Sequence, residues 1–455
     1  MKKKLLLGLA ALVVIVGIAA YVATRPAPPD TRFTGAYALA DGTLVFVTPR
    51  EGKVLRYRMM NGESAVLWPA GDGEYEGGPG WDQREPVVNR IKFDRAGAGR
   101  PGFDWRRTDD KVTHARHLDL PERTSMFPSG DLQLRGKVVL PDASTYGPGP
   151  YPTVVIVHGS ESYSAVDYYY EPYLYAANGF AALAFDKRGT GESQGKYLQN
   201  FHVLSDDVVA AVHWLRTQPG IDGNRIHLAG FSQGGWIAPL AALKDGNIRS
   251  VLVGYGVMVP VTGEDRWGYF YALQQKGFGA DAVAAADRIN AVIEDIFDRH
   301  QNRWSDLGSM LDAARPQPWF AGVRGSDSML GVVTDTKMPL WTMRLYMWWR
   351  TRGDTPFIDR LYDPVQTMQK LPTPSLWLLG GEDSSAPTPW TLRELEKLQA
   401  AGRPVQVRVF PDADHGIIKF VQQENGERRY TGLEPEYYPA QIAWLREHSG
   451  PSSSL

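Results

Sequence analysis

A chain of 455 residues, 43% hydrophobic and 22% charged, is long enough to bury a large core and too apolar for general disorder. Its formal charge of -2, with no basic stripe beyond the first four residues, removes the electrostatic footprint that nucleic acid requires. With no cysteine it forms no disulfide, no thiolate metal site and no cysteine nucleophile.

In chain order, MKKK is followed by an uncharged apolar run of 19 residues (5–23), close to the roughly 20 that cross a bilayer. The expectation is an uncleaved membrane anchor with Lys2 to Lys4 in the cytoplasm and everything after Arg25 on the far side. A secreted protein, cleaved near Ala20 or Ala23, is the alternative. RPAPPD (25–30) then reads as a stiff spacer, because proline fixes φ and cannot continue a helix.

Residues 31–119 carry short alternating segments such as TLVFV, VLRYRM and SAVLW, separated by DG, EG and NG pairs. Period-two alternation with such turns predicts a small β-rich module of antiparallel strands. His114 and His117 have a spacing that would suit a metal on a helix, but they lack further ligands and read as surface histidines.

From residue 120 to about 450 the pattern becomes α/β. TVVIVHG, GFAALAFD, NRIHLAGFS, IRSVLVGYG, PSLWLLGG and PVQVRVF are nearly continuous apolar runs, as expected of strands covered on both faces in a mostly parallel sheet. Helical spacing lies between them, for example Leu204, Val208, Val212 and Leu215. Residues 257–362 interrupt the alternation with helical patterns, including ADAVAAADRINAVIEDIF and LWTMRLYMWWR, and read as an inserted lid.

In GFSQG (230–234), Ser232 follows a strand and precedes a helix, where a sharp turn exposes its hydroxyl and the glycines remove Cβ clashes. A serine nucleophile needs a base, which needs an orienting acid, in the chain order Ser, Asp or Glu, His. Of the three histidines after Ser232, His300 falls in the lid and His448 near the tail; His415, in FPDADHGI, follows a strand and is the candidate base. Asp383, in GGEDSSAP, is the best-placed acid, with Glu382, Asp412 and Asp414 as local alternatives. The turn at His158, Gly159 and Ser160 offers one oxyanion N–H and Gln233 the second. No metal or organic cofactor is required.

GFSQG, VVIVHGS, FDKRGTGES, GGEDSSAP and DADHG together resemble the α/β-hydrolase superfamily. The approach FPSGDLQLRGKVVLP, the HGS turn and YDPVQTMQKLPTPSLWLLG are similar to the bacterial esterase and dienelactone-hydrolase-like group, related to prolyl-oligopeptidase-type serine hydrolases. The resemblance implies an α/β-hydrolase fold, an acyl-enzyme route and a small ester or acyl substrate, and it gives Arg188 a structural place in its turn. A serine peptidase, an acyl-CoA thioesterase or acyltransferase, and a non-catalytic binding protein are the alternatives. Relatives commonly read HGSG, where this chain has Glu161 in place of the second glycine. Oligomeric state is not legible.

Overall fold

The computed structural model describes residues 29–94, 101–336, 339–350 and 358–450. The apolar segment 5–23 expected to anchor the chain, residues 25–28 of the expected spacer and residues 451–455 lie outside them. Among the described residues no helix is long and apolar enough to cross a membrane.

The N-terminal strands close on themselves. Between Gly35 and His117 each strand pairs antiparallel with the next, and the first meets the last through Tyr37 opposite His117, giving an eight-stranded barrel. Alternation fills the barrel with side chains: Tyr37, Tyr57, Phe103 and Trp105 are all buried inside it. The polar tips of these rings are satisfied, with Trp105 Nε1 donating to Asn89 Oδ1 at 3.1 Å and Tyr37 Oη to the Phe33 carbonyl at 2.8 Å. His114 and His117 lie on the last barrel strand, Val112–His117, rather than on a helix, so a spacing of three puts them on opposite faces. His114 bonds Asp104 at 2.9 Å, and His117 packs edge-on against Tyr37.

The second sheet has eight strands, here β1 (Glu122–Ser129), β2 (Leu132–Val139), β3 (Tyr151–Val157), β4 (Ala181–Phe185), β5 (Ile221–Phe231), β6 (Ser250–Gly254), β7 (Ser375–Gly380) and β8 (Val405–Phe410). Their order across the sheet is β1-β2-β4-β3-β5-β6-β7-β8. From β4 to β8 all pairs are parallel; β2 is antiparallel to both β4 and β1. An apolar cluster covers each face. On one side helices α1 (Phe201–Leu215), α2 (Gly234–Asp245) and α4 (Thr388–Ala400) pack, and on the other α5 (Tyr437–His448).

The stretch after β6 is helical, starting with α3 (Val261–Gln275) and including Ala280–Phe297, Trp304–Ala314, Met329–Asp335 and Leu340–Arg350. Tyr269, Ile289, Ile293, Leu307 and Leu330 give it a core separate from that of the sheet. The architecture is the α/β-hydrolase fold with a helical insertion and an antiparallel barrel in front.

Candidate active site

The chain leaves β3 toward β4 on one side and later returns to place β5 on the other. The carboxyl ends of β3 and β5 therefore flank a switch point, where a parallel sheet opens a crevice. Ser232 follows β5 at φ 51°, in the left-handed region that non-glycine residues avoid, so the turn carrying it is strained. The turn closes because its neighbours lack side chains. A Cβ on Gly230 would lie 2.2 Å from the Gly234 carbonyl oxygen, and one on Gly234 would lie 2.1 Å from that of Val157 in β3. Helix α2 begins at Gly234, so its positive end points at the serine.

Asp383 lies beyond β7 and His415 beyond β8, and the twist of the sheet carries both to Ser232. His415 Nε2 is 3.1 Å from Ser232 Oγ, and Nδ1 is 3.0 and 3.2 Å from the two Asp383 oxygens. Asp383 is 2% exposed and accepts main-chain N–H bonds from Ser385 at 2.9 Å and Ala386 at 2.7 Å, which fix its carboxylate. Burial alone would lower the His415 pKa. The charge and hydrogen bond of Asp383, with Glu264 and Asp414 nearby, outweigh burial and raise it to about 9.

Of the other carboxylates near His415 and Asp383, Asp412 is exposed, and Asp414 and Glu382 are engaged by Arg428. Asp414 accepts from Ser384, the His415 main-chain N–H and Tyr430, and it pairs with Arg428 at 2.6 Å. Burial would raise the pKa of its carboxyl, yet these bonds hold it below the usual range. Glu382 is half-exposed and 3.7 Å from the Arg428 guanidinium. Arg188 forms a two-pronged pair with Asp207 at 2.7 and 2.6 Å, away from the serine.

Ser160 and Gln233 face the same space from β3 and β5, lining one chamber with Ser232 and His415. Neither main-chain N–H is taken by another described group. The Gly159 turn is braced from beneath by Lys187, whose buried Nζ donates to the Gly159 carbonyl at 2.6 Å. Burial lowers the pKa of that ammonium to about 8. Lys187 sits in FDKRGTGES beside Arg188, and an isolated lysine in a turn motif gave no sequence signal for this brace. Glu161, the departure from HGSG, turns back to His158 at 3.3 Å and to the Tyr169 hydroxyl.

Two chambers meet at Ser232. One, of about 440 Å³, is walled by Tyr163, Tyr169, Tyr170, Tyr255 and two barrel residues, Arg58 and Trp81. The other, of about 380 Å³, lies under the helical insertion and includes Trp236, Glu264 and Asp327. No motif in the sequence marks these wall residues. Among the described residues no group of three or more His, Asp or Glu is placed to hold a metal.

Several known proteins are similar to parts of this chain. A thiohydrolase, aneE, of Aspergillus aculeatus is 33% identical over 123 residues, 27% of this chain and 37% of that protein. The chain thus spans little more than a third of that relative's length. An uncharacterized 31.7 kDa protein of Escherichia coli is 22% identical over 279 residues, 59% of this chain and 82% of that protein. Among solved structures, the Pyrococcus furiosus esterase Pf2001 aligns with a TM-score of 0.43 and 17% identity, covering 73% of this chain and 95% of the esterase. Residues 154–429, more than half of the chain, match the Alpha/beta hydrolase family, and the protein belongs to that family.

Proposed function

We propose that the protein is a serine hydrolase that cleaves a small carboxylic ester through an acyl-enzyme. The observation that carries this reading is the hydrogen-bonded line from Ser232 Oγ through His415 to the buried Asp383 carboxylate, with two uncommitted main-chain N–H groups beside it. In the reaction Ser232 Oγ bonds the carbonyl carbon while His415 Nε2 takes the hydroxyl proton, and Asp383 stabilises the imidazolium. The Ser160 and Gln233 N–H groups receive the negative oxygen. The tetrahedral adduct collapses as the carbon–oxygen bond to the alcohol breaks and His415 returns the proton to it. Water, deprotonated by the same imidazole, then releases the acid and restores Ser232.

A fluorophosphonate probe tests the assignment. The native chain is expected to be labelled and Ser232→Ala to remain unlabelled; labelling that persists in the variant would remove Ser232 from its role. His415→Ala is expected to abolish hydrolysis of an activated ester. A thioester is the second reading, favoured by the partial similarity to a thiohydrolase. Matched oxygen and sulfur esters of one acyl group decide between them.

We also infer that residues 5–23 tether the hydrolase to a membrane, with the catalytic part outside the cytoplasm, on the strength of the lysine flank and apolar length. Extraction by detergent but not by alkaline carbonate is the expected behaviour, and quantitative release by carbonate would overturn it.

A further inference from the structure

Part of the wall of the larger chamber comes from outside the hydrolase. Arg58 and Trp81 belong to the barrel, and they share the chamber with Ser160, Ser232 and His415. Strand alternation puts Arg58 there, and Trp81 comes from the loop between the strands Glu74–Gly77 and Asn89–Phe93. In LRYRM (Leu55–Met59), Leu55, Tyr57 and Met59 fill the barrel, so Arg56 and Arg58 project from its outer face. Arg56 is buried with its guanidinium 3.9 Å from the centre of the Trp81 ring. The Trp81 main-chain N–H donates to the Tyr430 carbonyl at 3.1 Å, and Leu433 N–H donates to the Gly62 carbonyl at 2.8 Å. Tyr430 and Leu433 lie in a strand, Arg428–Leu433, that pairs with Ile418–Gln422 just beyond His415. The barrel is thus fastened to the hairpin that follows the imidazole.

Arg58 is held and yet chemically available. Its guanidinium sits over the Tyr170 ring at 4.1 Å, and one nitrogen donates to Thr48 Oγ1 at 3.2 Å. It has no carboxylate partner within salt-bridge distance among the described residues. Two carboxyl groups share the chamber: Glu161 is engaged by His158 and Tyr169, and Glu171 is 6% exposed in the wall. Flat rings supply most of the remaining surface.

We infer that Arg58 determines specificity: the substrate places a planar conjugated group among these rings and presents an acceptor oxygen, carbonyl or carboxylate, to the guanidinium N–H groups that Thr48 leaves over. The inference rests on the serine-hydrolase reading and adds a barrel-borne subsite to it. A guanidinium suits either oxygen, since its donors form a planar fork and its charge strengthens each bond.

The test uses the full chain and esters carrying a 4-isopropylphenyl, 4-acetylphenyl or 4-carboxyphenyl group, on the acyl or the alcohol side. The ratio of native to variant kcat/KM cancels the intrinsic reactivity of each ester. Arg58→Met keeps the length of the stem and removes the donors. Its kcat/KM is expected to fall about tenfold further for at least one oxygen-bearing ester than for the isopropyl ester. Selective loss of the acetyl ester assigns a carbonyl, and of the carboxy ester a carboxylate. An equal loss on all three overturns the inference. Thr48→Val, nearly isosteric, decides if Arg58→Met does not fold: a selective loss in the same direction supports the subsite, and a uniform profile overturns it. Fluorophosphonate labelling of the native chain separates the two levels, since an unlabelled native chain removes the hydrolase reading itself.

Discussion

His415 has an aspartate on either side of its loop, and the two are distinguished by what else they hold. Asp383 gives its carboxylate to the imidazole and to two main-chain N–H groups, whereas Asp414 is committed to Arg428, Tyr430 and the Ser384 turn. Asp383→Asn is therefore expected to lower kcat by roughly 10⁴ with the fold intact, because the amide no longer selects the tautomer that accepts the serine proton. Asp414→Asn removes the charge paired with Arg428 at 2.6 Å, while the Glu382 carbonyl and carboxylate still partner that guanidinium, and is expected to lose about 1–3 kcal/mol of stability in denaturant unfolding, with a smaller effect on kcat. The opposite pattern would make Asp414 the orienting acid. His415 also sets the pH dependence of the reaction. Protonated His415 cannot accept a proton, so kcat/KM rises with pH along an ionisation displaced from 6.5 toward about 9. Removing the Asp383 charge lowers that ionisation, and an unchanged profile in Asp383→Asn would show that the carboxylate is not the cause. The same shift stabilises the fold below pH 6.5, a contribution lost as pH rises through about 9.

The elements that position the serine are tuned by contact between backbones. Gly234 begins α2 with its Cα against β3, and a Cβ there would stand 2.1 Å from the Val157 carbonyl oxygen. Gly234→Ala must push β3 and α2 apart, moving the Gly159–Ser160 turn away from the serine. A loss of about 1–3 kcal/mol in unfolding and a fall in kcat larger than that in KM are expected. Native kinetics in this variant would show that the turn yields without consequence. The turn was legible in GFSQG because its constraint is local, and His415 and Asp383 were legible because apolar strands end just before them. Strand β1 was not. It is an edge strand containing Pro128, with four successive exposed residues from Arg123 to Met126, so it lacks the apolar run that marks the interior strands. The hairpin after His415 is likewise mostly half-exposed and has little apolar contrast.

At the scale of the whole molecule, alternation and turn pairs in residues 31–119 announce antiparallel strands, but closure depends on the Tyr37 to His117 pairing, which no local pattern encodes. Arg58 and Trp81 were invisible for the same reason: only the docking of the barrel brings them to Ser232. That docking has an apolar component. Ala36 and Phe46 are buried outside the barrel's own core, in the cluster that continues through Leu120, Val139 and Leu174 beneath the sheet. The barrel and the hydrolase therefore share buried surface and should unfold together. Phe46→Ala leaves every side chain inside the barrel in place, so an independently stable barrel would keep its hydrogen-exchange protection. A shared core predicts instead that removing this ring costs about 3–5 kcal/mol and lowers protection in the barrel strands and in β1 to β4 alike. Barrel amides that stayed at native protection while the sheet loosened would separate the two units. The subsite at Arg58 would then rest on a mobile contact rather than on a fixed wall.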